Sequence, residues 1–256
     1  MRLLRQYAEW GEIAAPDLDI PIQSIAIDSR LVGVGALFCA LPGARVDGHA
    51  FLAQAAAAGA IASLVDSRYS GPDYGMHLLR CNDTLGTLQH MARQRLRSRR
   101  VPVVAVTGSV GKTTTKEFLR SILSVKWDVS ATPGNANSQV GLPLYLLNEM
   151  EEPELWLLEI GISLPGEMDR LTAIAAPDCA LITQVGLVHA ATLGSELEIA
   201  KEKARIWARP ETAMGVAPMD FPRLQEFWES YAIHGRSFSV NHPGADYALN
   251  GHRVIH

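Results

Sequence analysis

The run VAVTGSVGKTTTKEF, residues 104–118, sets glycine, lysine and hydroxyl side chains at a spacing suited to holding phosphate. Gly108 and Gly111 let backbone N–H groups point inward, a helix opening at Lys112 adds partial positive charge, and the lysine itself adds a full one. Thr113 puts a hydroxyl straight after the lysine, where such loops hold Mg²⁺. The standard spacing is not met, because Val106 stands five residues before Gly111 in place of glycine. The loop is the shorter Gly108-Ser109-Val110-Gly111-Lys112-Thr113-Thr114. A strand before it, an amphipathic helix after it and three consecutive threonines make it a nucleoside triphosphate site rather than a plain turn.

Further groups with chemical potential stand at the ends of other apolar runs. Glu159 closes LWLLE, where a carboxylate is either a hard oxygen ligand for Mg²⁺ or an ordinary residue opening a loop. His189 follows ALITQVGLV, either as a site residue or as a packed or surface histidine. Asn135 and Asn137 lie in the Gly/Asn-rich TPGNANSQVGLP, within reach of phosphate or metal if the turn faces the site. Lys203 is the most informative. At about 100° per residue it falls among Leu197, Ile199, Ala200, Ala204, Ile206 and Trp207, while Glu198, Lys201, Glu202 and Arg205 fill the opposite half. A lysine on an apolar face must be paired, chemically changed or extended to the rim.

These residues need a scaffold, and the pattern predicts α/β alternation. QSIAIDSR, GALFCALPG and IASLV read as strands, HAFLAQAAAAGA and residues 84–100 as helices, and Pro102 as a domain boundary. A small N-terminal α/β domain over 1–100 is therefore expected, followed by a P-loop parallel-sheet domain over 101–256. In the second, VVAV, LWLLEI and CALITQV are strands, and helices cover 112–124, GEMDRLTAIAA and 195–208. The first of these is expected to turn Phe118, Leu119, Ile122 and Leu123 to one face. Ligands of such sheets bind at the carboxyl ends of the strands.

Composition excludes several classes. The 256 residues carry a net charge of −4, with 11 Lys/Arg against 9 Asp/Glu in residues 1–100 and 12 against 18 beyond. Five of the N-terminal arginines sit in RQRLRSRR, the solvated end of a helix, so no broad basic face for nucleic acid exists. Cys39, Cys81 and Cys179 lack metal or disulfide spacing and read as free thiols in a reducing compartment. The longest apolar run, AAAAGAIASLV, is too short to span a bilayer, and the N-terminus has no signal-peptide core, so a cytoplasmic protein is expected.

The stretches DSRLVGVGALFCALPGARVDGHAF, VTGSVGKTTTKEF, GNANSQVGLPLYLL, EIGISLPGEMDRL and VGLVHAATLGSELEIAKEKARI run in order from residue 28 to 206. Together the chain resembles the Mur ligase family, on the branch that adds D-alanyl-D-alanine to UDP-N-acetylmuramoyl-tripeptide in peptidoglycan synthesis. The resemblance implies ATP and Mg²⁺ as cofactors, with ATP held by Gly108–Thr114, Asn135 and Asn137. It implies metal ligation by Thr113, Glu159, His189 and a carbamylated Lys203, with Lys112, His189 and Lys203 in catalysis. Ser29, Arg45, Asp47, Gly48 and His49 fall in motifs that hold the UDP-sugar. Ala36, Ser138, Gln139, Ser163 and Leu164 depart from the family pattern. The resemblance also implies a chain that stops inside the central domain, with the C-terminal ligase domain absent. Two other readings stand beside a working ligase. One is a non-catalytic module holding ATP or the UDP-precursor. The other is a ligase of the folylpolyglutamate synthetase kind, against which the DSR…DGH region speaks.

Overall fold

A computed structural model of the chain describes residues 2–14, 19–43, 46–98, 100–188, 190–221, 223–231, 233–250 and 253–255. They form two units: residues 1–99 together with 143–152, and residues 100–142 together with 153–256.

In the first unit, β1 (Arg2–Leu3) pairs antiparallel with β2 (Pro21–Ile22), and α1 (Leu4–Trp10) lies between them in sequence. A four-stranded parallel sheet follows in the order β3 (Ser24–Ala26), β4 (Ala36–Cys39), β5 (Ala60–Asp66), β6 (His77–Cys81). Helices α2 (Leu52–Ala57) and α3 (Thr84–Arg97) complete it. β4 is buried along its whole length, as an apolar run inside a parallel sheet should be. Phe38, Leu52, Ala55, Val65 and Met76 pack into one cluster. Burial pushes the Cys39 thiol up to about 12, and all three cysteines are free.

Residues 143–152 reach the first unit through polar groups that hydrophobic patterning does not register. The Asn148 amide accepts from Ile25 N–H at 2.7 Å and donates to Ile25 C=O at 2.9 Å, completing the edge of β3 as another strand would. Arg95, 2% exposed, pairs with Glu152 at 2.9 Å. Gly48 shows how tightly the loop after β4 is drawn in. Its N–H donates to Leu41 C=O at 2.9 Å, and a Cβ there would stand 2.7 Å from the Leu41 backbone N and O. Gly48→Ala is therefore expected to destabilise the first unit by about 1–3 kcal/mol. Urea unfolding should show a lower midpoint for this unit alone, with nucleotide affinity of the second unchanged.

The second unit is built on a sheet in the order β14-β13-β12-β11-β10-β7-β9-β8. In chain order its elements are β7 (Val103–Thr107), α4 (Lys112–Leu123), β8 (Val129–Ala131), α5 (Gly141–Asn148, leading into the first unit), β9 (Leu155–Glu159), α6 (Glu167–Ala175) and β10 (Cys179–Ile182). Then come α7 (Ala190–Leu193), α8 (Glu196–Ala204), β11 (Met214–Pro218), α9 (Arg223–Ser230), β12 (His234–Ser239), β13 (Tyr247–Asn250) and β14 (Arg253–Ile255). Every pairing is parallel except β13–β14. The expected α/β class with parallel sheets is what the chain adopts. Among the described residues no helix is long and apolar enough to cross a membrane.

Two expectations about helix faces need correction. On α4, Leu119 and Leu123 pack toward Val106 and Leu157, but Phe118 and Ile122 are each 67% exposed. The inward line runs instead through 112, 116, 119 and 123, and Lys116 on it is fully buried. On α8, Glu202 lies on the expected polar half yet is only 9% exposed. It accepts from Gly166 N–H at 2.8 Å and Met168 N–H at 3.4 Å, satisfying the open N-terminus of α6. α8 itself starts with a reciprocal cap between Ser195 and Glu198.

Candidate functional site

The chain leaves β7 for the sheet's far edge at β8, returns to β9 beside β7, and then crosses to β10 on the other side. β7 is thus the switch point, where connections diverge to either side and open a crevice at the carboxyl ends. Register brings those ends level: Val106 pairs with Glu159, and Thr107 with Ile182.

The loop after β7 is fastened to the segment after β10. Ser109 N–H donates to Gln184 C=O at 2.8 Å, the Ser109 hydroxyl donates to Gly186 C=O at 2.9 Å and accepts from Gly186 N–H at 3.0 Å. Thr183 donates through its hydroxyl to Val110 C=O at 2.6 Å. Gly108 has φ of +155°, and a Cβ there would overlap the Thr183 hydroxyl, so only glycine fits. Gly111, with φ of +85°, turns the chain into α4. Lys112 folds back over the loop, its Nζ donating to Gly108 C=O at 2.9 Å. Thr183, Gln184 and Gly186 were not singled out by sequence, although they directly follow an apolar strand, where such clamps belong.

Glu159 is 2% exposed, and each of its carboxylate oxygens accepts one hydrogen bond. Its Oε2 accepts from the Thr113 hydroxyl at 2.9 Å and its Oε1 from Asn137 Nδ2 at 2.8 Å. Its backbone N–H donates to the Thr132 hydroxyl at 2.8 Å, and Lys116 Nζ lies 3.9 Å from Oε2. Asn137 is held in turn by its own C=O, which accepts from Gly161 N–H at 2.9 Å. The structure therefore brings Thr113, Asn137 and Glu159 together. Asn135 is exposed and makes no side-chain hydrogen bond among the described residues, and Thr114 is exposed on the first turn of α4.

Lys203 is 3% exposed, without a hydrogen-bond or ion-pair partner among the described residues. Its pKa is pushed down to about 8, first by desolvation and then by the charge of Lys112, with Glu202 pulling the other way. The amine thus sits within the field of the phosphate-loop lysine. His189 and Arg45 lie outside the described residues.

In the first unit, Asp47 and His49 line a cavity of about 540 Å³ with Asp66, Arg68, Tyr69 and Asn82. His49 Nε2 accepts from the Asp66 N–H at 2.9 Å, which fixes the proton on Nδ1, and Nδ1 donates to Asp47 at 2.6 Å. Both ring nitrogens are therefore spent, and the ring offers its face, stacked on Tyr69 at 5.3 Å. The Arg68 guanidinium, hydrogen-bonded to Asp66, holds that carboxyl well below the usual carboxylate range. Ser29 does not line this cavity; its hydroxyl donates to Gln54 at 2.9 Å.

No group of three or more His, Cys, Asp or Glu side chains among the described residues is arranged to hold a metal. The donors at the strand ends nevertheless suit a hard cation: a buried carboxylate and a hydroxyl 2.9 Å apart, both oxygen, beside a loop shaped for phosphate.

Residues 106–251 match the Mur ligase middle domain, and residues 21–73 match the catalytic domain of the Mur ligase family. The chain is similar to the UDP-N-acetylmuramoyl-tripeptide--D-alanyl-D-alanine ligase of Bacillus subtilis, 39% identical over 208 residues, which is 80% of this chain and 46% of the relative. It resembles the structure of MurF from Acinetobacter baumannii with a TM-score of 0.87 and 29% identity, over 97% of this chain and 55% of that one. It also resembles MurF ligase from Thermotoga maritima in complex with ADP, with a TM-score of 0.81 and 34% identity, over 91% and 53% of the two chains. The chain spans about half the length of the curated relatives it matches.

Proposed function

The chain belongs to the Mur ligase family, and from that we propose an ATP-dependent amide ligase that joins D-alanyl-D-alanine to UDP-N-acetylmuramoyl-tripeptide in peptidoglycan synthesis. The observation that carries this reading is the Glu159 carboxylate meeting the Thr113 hydroxyl at the mouth of the phosphate loop. In the reaction, an oxygen of the tripeptide carboxylate attacks the γ-phosphorus of ATP and ADP departs, leaving an acyl phosphate. The amine of D-alanyl-D-alanine then attacks the acyl carbon. The tetrahedral adduct loses a proton and collapses, and inorganic phosphate leaves as the amide forms.

The protein's share is positioning and charge. Backbone N–H groups of Gly108–Thr114 cradle the phosphates. Lys112 exchanges the Gly108 carbonyl for phosphate oxygen and neutralises charge gathering there. Mg²⁺, held by Thr113 and Glu159 with His189 and a carbamylated Lys203, would supply Lewis-acid stabilisation of the phosphate oxygens. Carbamylation is the addition of CO₂ to the neutral Lys203 amine with loss of one proton, which turns an unpaired cation into an anion beside Lys112. The low pKa of Lys203 favours it, because only the neutral amine reacts. In the first unit, Asp47, Asp66 and the stacked His49–Tyr69 face suit the hydroxyls, imide N–H and base of a uridine. Localisation in the cytoplasm follows from the intracellular origin of such substrates.

Calorimetric titration of the chain with ADP, with and without MgCl₂, and with the UDP-tripeptide tests the reading. Magnesium-dependent ADP binding together with precursor binding is expected. ADP release from ATP that requires both UDP-tripeptide and D-alanyl-D-alanine would establish turnover, while binding of both ligands without turnover would favour a non-catalytic module. No magnesium-dependent nucleotide binding would defeat the proposal.

A further inference from the structure

We propose that Lys116 is a positioning residue that holds the Glu159 carboxylate in place for a divalent cation; this rests on the nucleotide reading above. Lys116 is fully buried, a costly state for an ammonium unless its bonds are satisfied. Its Nζ donates to Thr132 C=O at 2.5 Å and to Glu117 at 3.0 Å, and stands 3.9 Å from Glu159 Oε2. Among the described residues it is the cation within ion-pair distance of Glu159.

The division of labour in these distances matters. The short bonds go to Thr132 and Glu117, so Lys116 gives Glu159 its charge without taking up one of its oxygens. The carboxylate stays buried at the strand end with lone pairs left for a metal. Thr132 doubles the link, since its carbonyl receives Lys116 while its hydroxyl receives Glu159 N–H at 2.8 Å. One ammonium therefore joins α4, the end of β8 and the end of β9, the three pieces that must keep register for Thr113 and Glu159 to meet. A carboxylate in a low-dielectric pocket without that charge gains by swinging toward water, and the oxygen pair at the loop mouth is lost. Lys116 would also repel an incoming cation, so a pure competitor and a positioning residue predict opposite outcomes.

Lys116→Gln separates them, because it can still donate to the Thr132 carbonyl but carries no charge to Glu159. ADP affinity is measured by calorimetry in EDTA and in MgCl₂, and Mn²⁺ binding in the presence of ADP by electron paramagnetic resonance. The expected result is unchanged ADP affinity in EDTA and about a tenfold loss of the magnesium-dependent gain. Free Mn²⁺ signal should rise correspondingly, and Lys116→Arg should recover most of the gain. Should Lys116→Gln not fold, Lys116→Arg carries the test alone, with near-wild-type gain expected and loss of the gain overturning it. A Lys116→Gln protein with the full magnesium gain, or one binding the cation more tightly, overturns the proposal. So does an equal loss of ADP affinity in EDTA and MgCl₂. Wild-type protein showing no magnesium dependence would instead defeat the nucleotide reading itself.

Discussion

Glu159→Gln should cost the chain on the order of 100-fold or more in magnesium-dependent ADP affinity, a larger loss than any neighbouring substitution, because it removes a ligand rather than a ligand's support. Gln keeps the size of the side chain and can still accept from either Thr113 or Asn137, so the strand end stays packed. What it lacks is the negative charge. One of its two terminal atoms becomes an NH₂: at the Oε1 position it meets the Asn137 amide donor, and at the Oε2 position it meets the Lys116 ammonium, the Thr113 hydroxyl being able to turn and accept. A buried donor set against donors costs roughly 1–3 kcal/mol, so a lower urea midpoint for the second unit accompanies the affinity loss. The two effects can be told apart. Lys116→Met combined with Glu159→Gln removes the buried ammonium that faces the new amide, and the double variant is expected to regain stability while its magnesium dependence stays absent. Calorimetry showing Glu159→Gln with an intact magnesium gain would remove Glu159 from the metal site.

The difference between what was legible in the sequence and what was not is a difference between local and tertiary signals. β7, its glycine turn and α4 are local: an apolar run, two glycines and a 3.6-residue period specify them without reference to the rest of the chain. Glu159 was findable for the same reason, as the polar residue closing an apolar strand, and Lys203 because it interrupts an apolar stripe on a helix with well-marked caps. Lys116 was hidden. Hydrophobic periodicity assigns one face of α4 to Phe118, Leu119, Ile122 and Leu123, and nothing local reveals that Thr132 and Glu159 wait opposite a lysine's ammonium. The helix is rotated so that Lys116 meets the polar strand ends on the same line that sets Leu119 and Leu123 against Val106 and Leu157. Glu202 was hidden in the same way, its burial explained by the open N-terminus of α6 thirty-odd residues earlier. Asn148 likewise reads as a helix-terminal residue until the free edge of β3 is known. In each case a polar side chain is drawn inward by unsatisfied backbone or charge on a distant element, a demand that sequence patterning cannot register.

Lys203→Met is expected to stabilise the second unit in CO₂-free buffer, even though the residue it removes is assigned to catalysis. The folded pKa of Lys203 is pushed from 10.5 to about 8, by desolvation and then by Lys112. Below pH 8 both the folded and unfolded chain carry the proton, and folding bears the whole cost of burying it, about 3 kcal/mol. Between pH 8 and 10.5 the unfolded chain keeps a proton that the folded chain has shed, so wild-type stability climbs with pH. Above 10.5 both are neutral and the cost is gone. Methionine, of similar length and uncharged, never bears it. Thermal unfolding should therefore show the variant ahead of wild type at pH 6 to 8, with the gap closing toward pH 10.5. Bicarbonate reverses the comparison near pH 8. The neutral fraction of Lys203 takes up CO₂, its cation becomes an anion next to Lys112, and repulsion becomes attraction. Added bicarbonate should then raise the wild-type melting temperature and leave the variant unmoved. If the two proteins keep a constant gap across this pH range and respond alike to bicarbonate, Lys203 is neither a buried strained amine nor the acceptor of a carboxyl group.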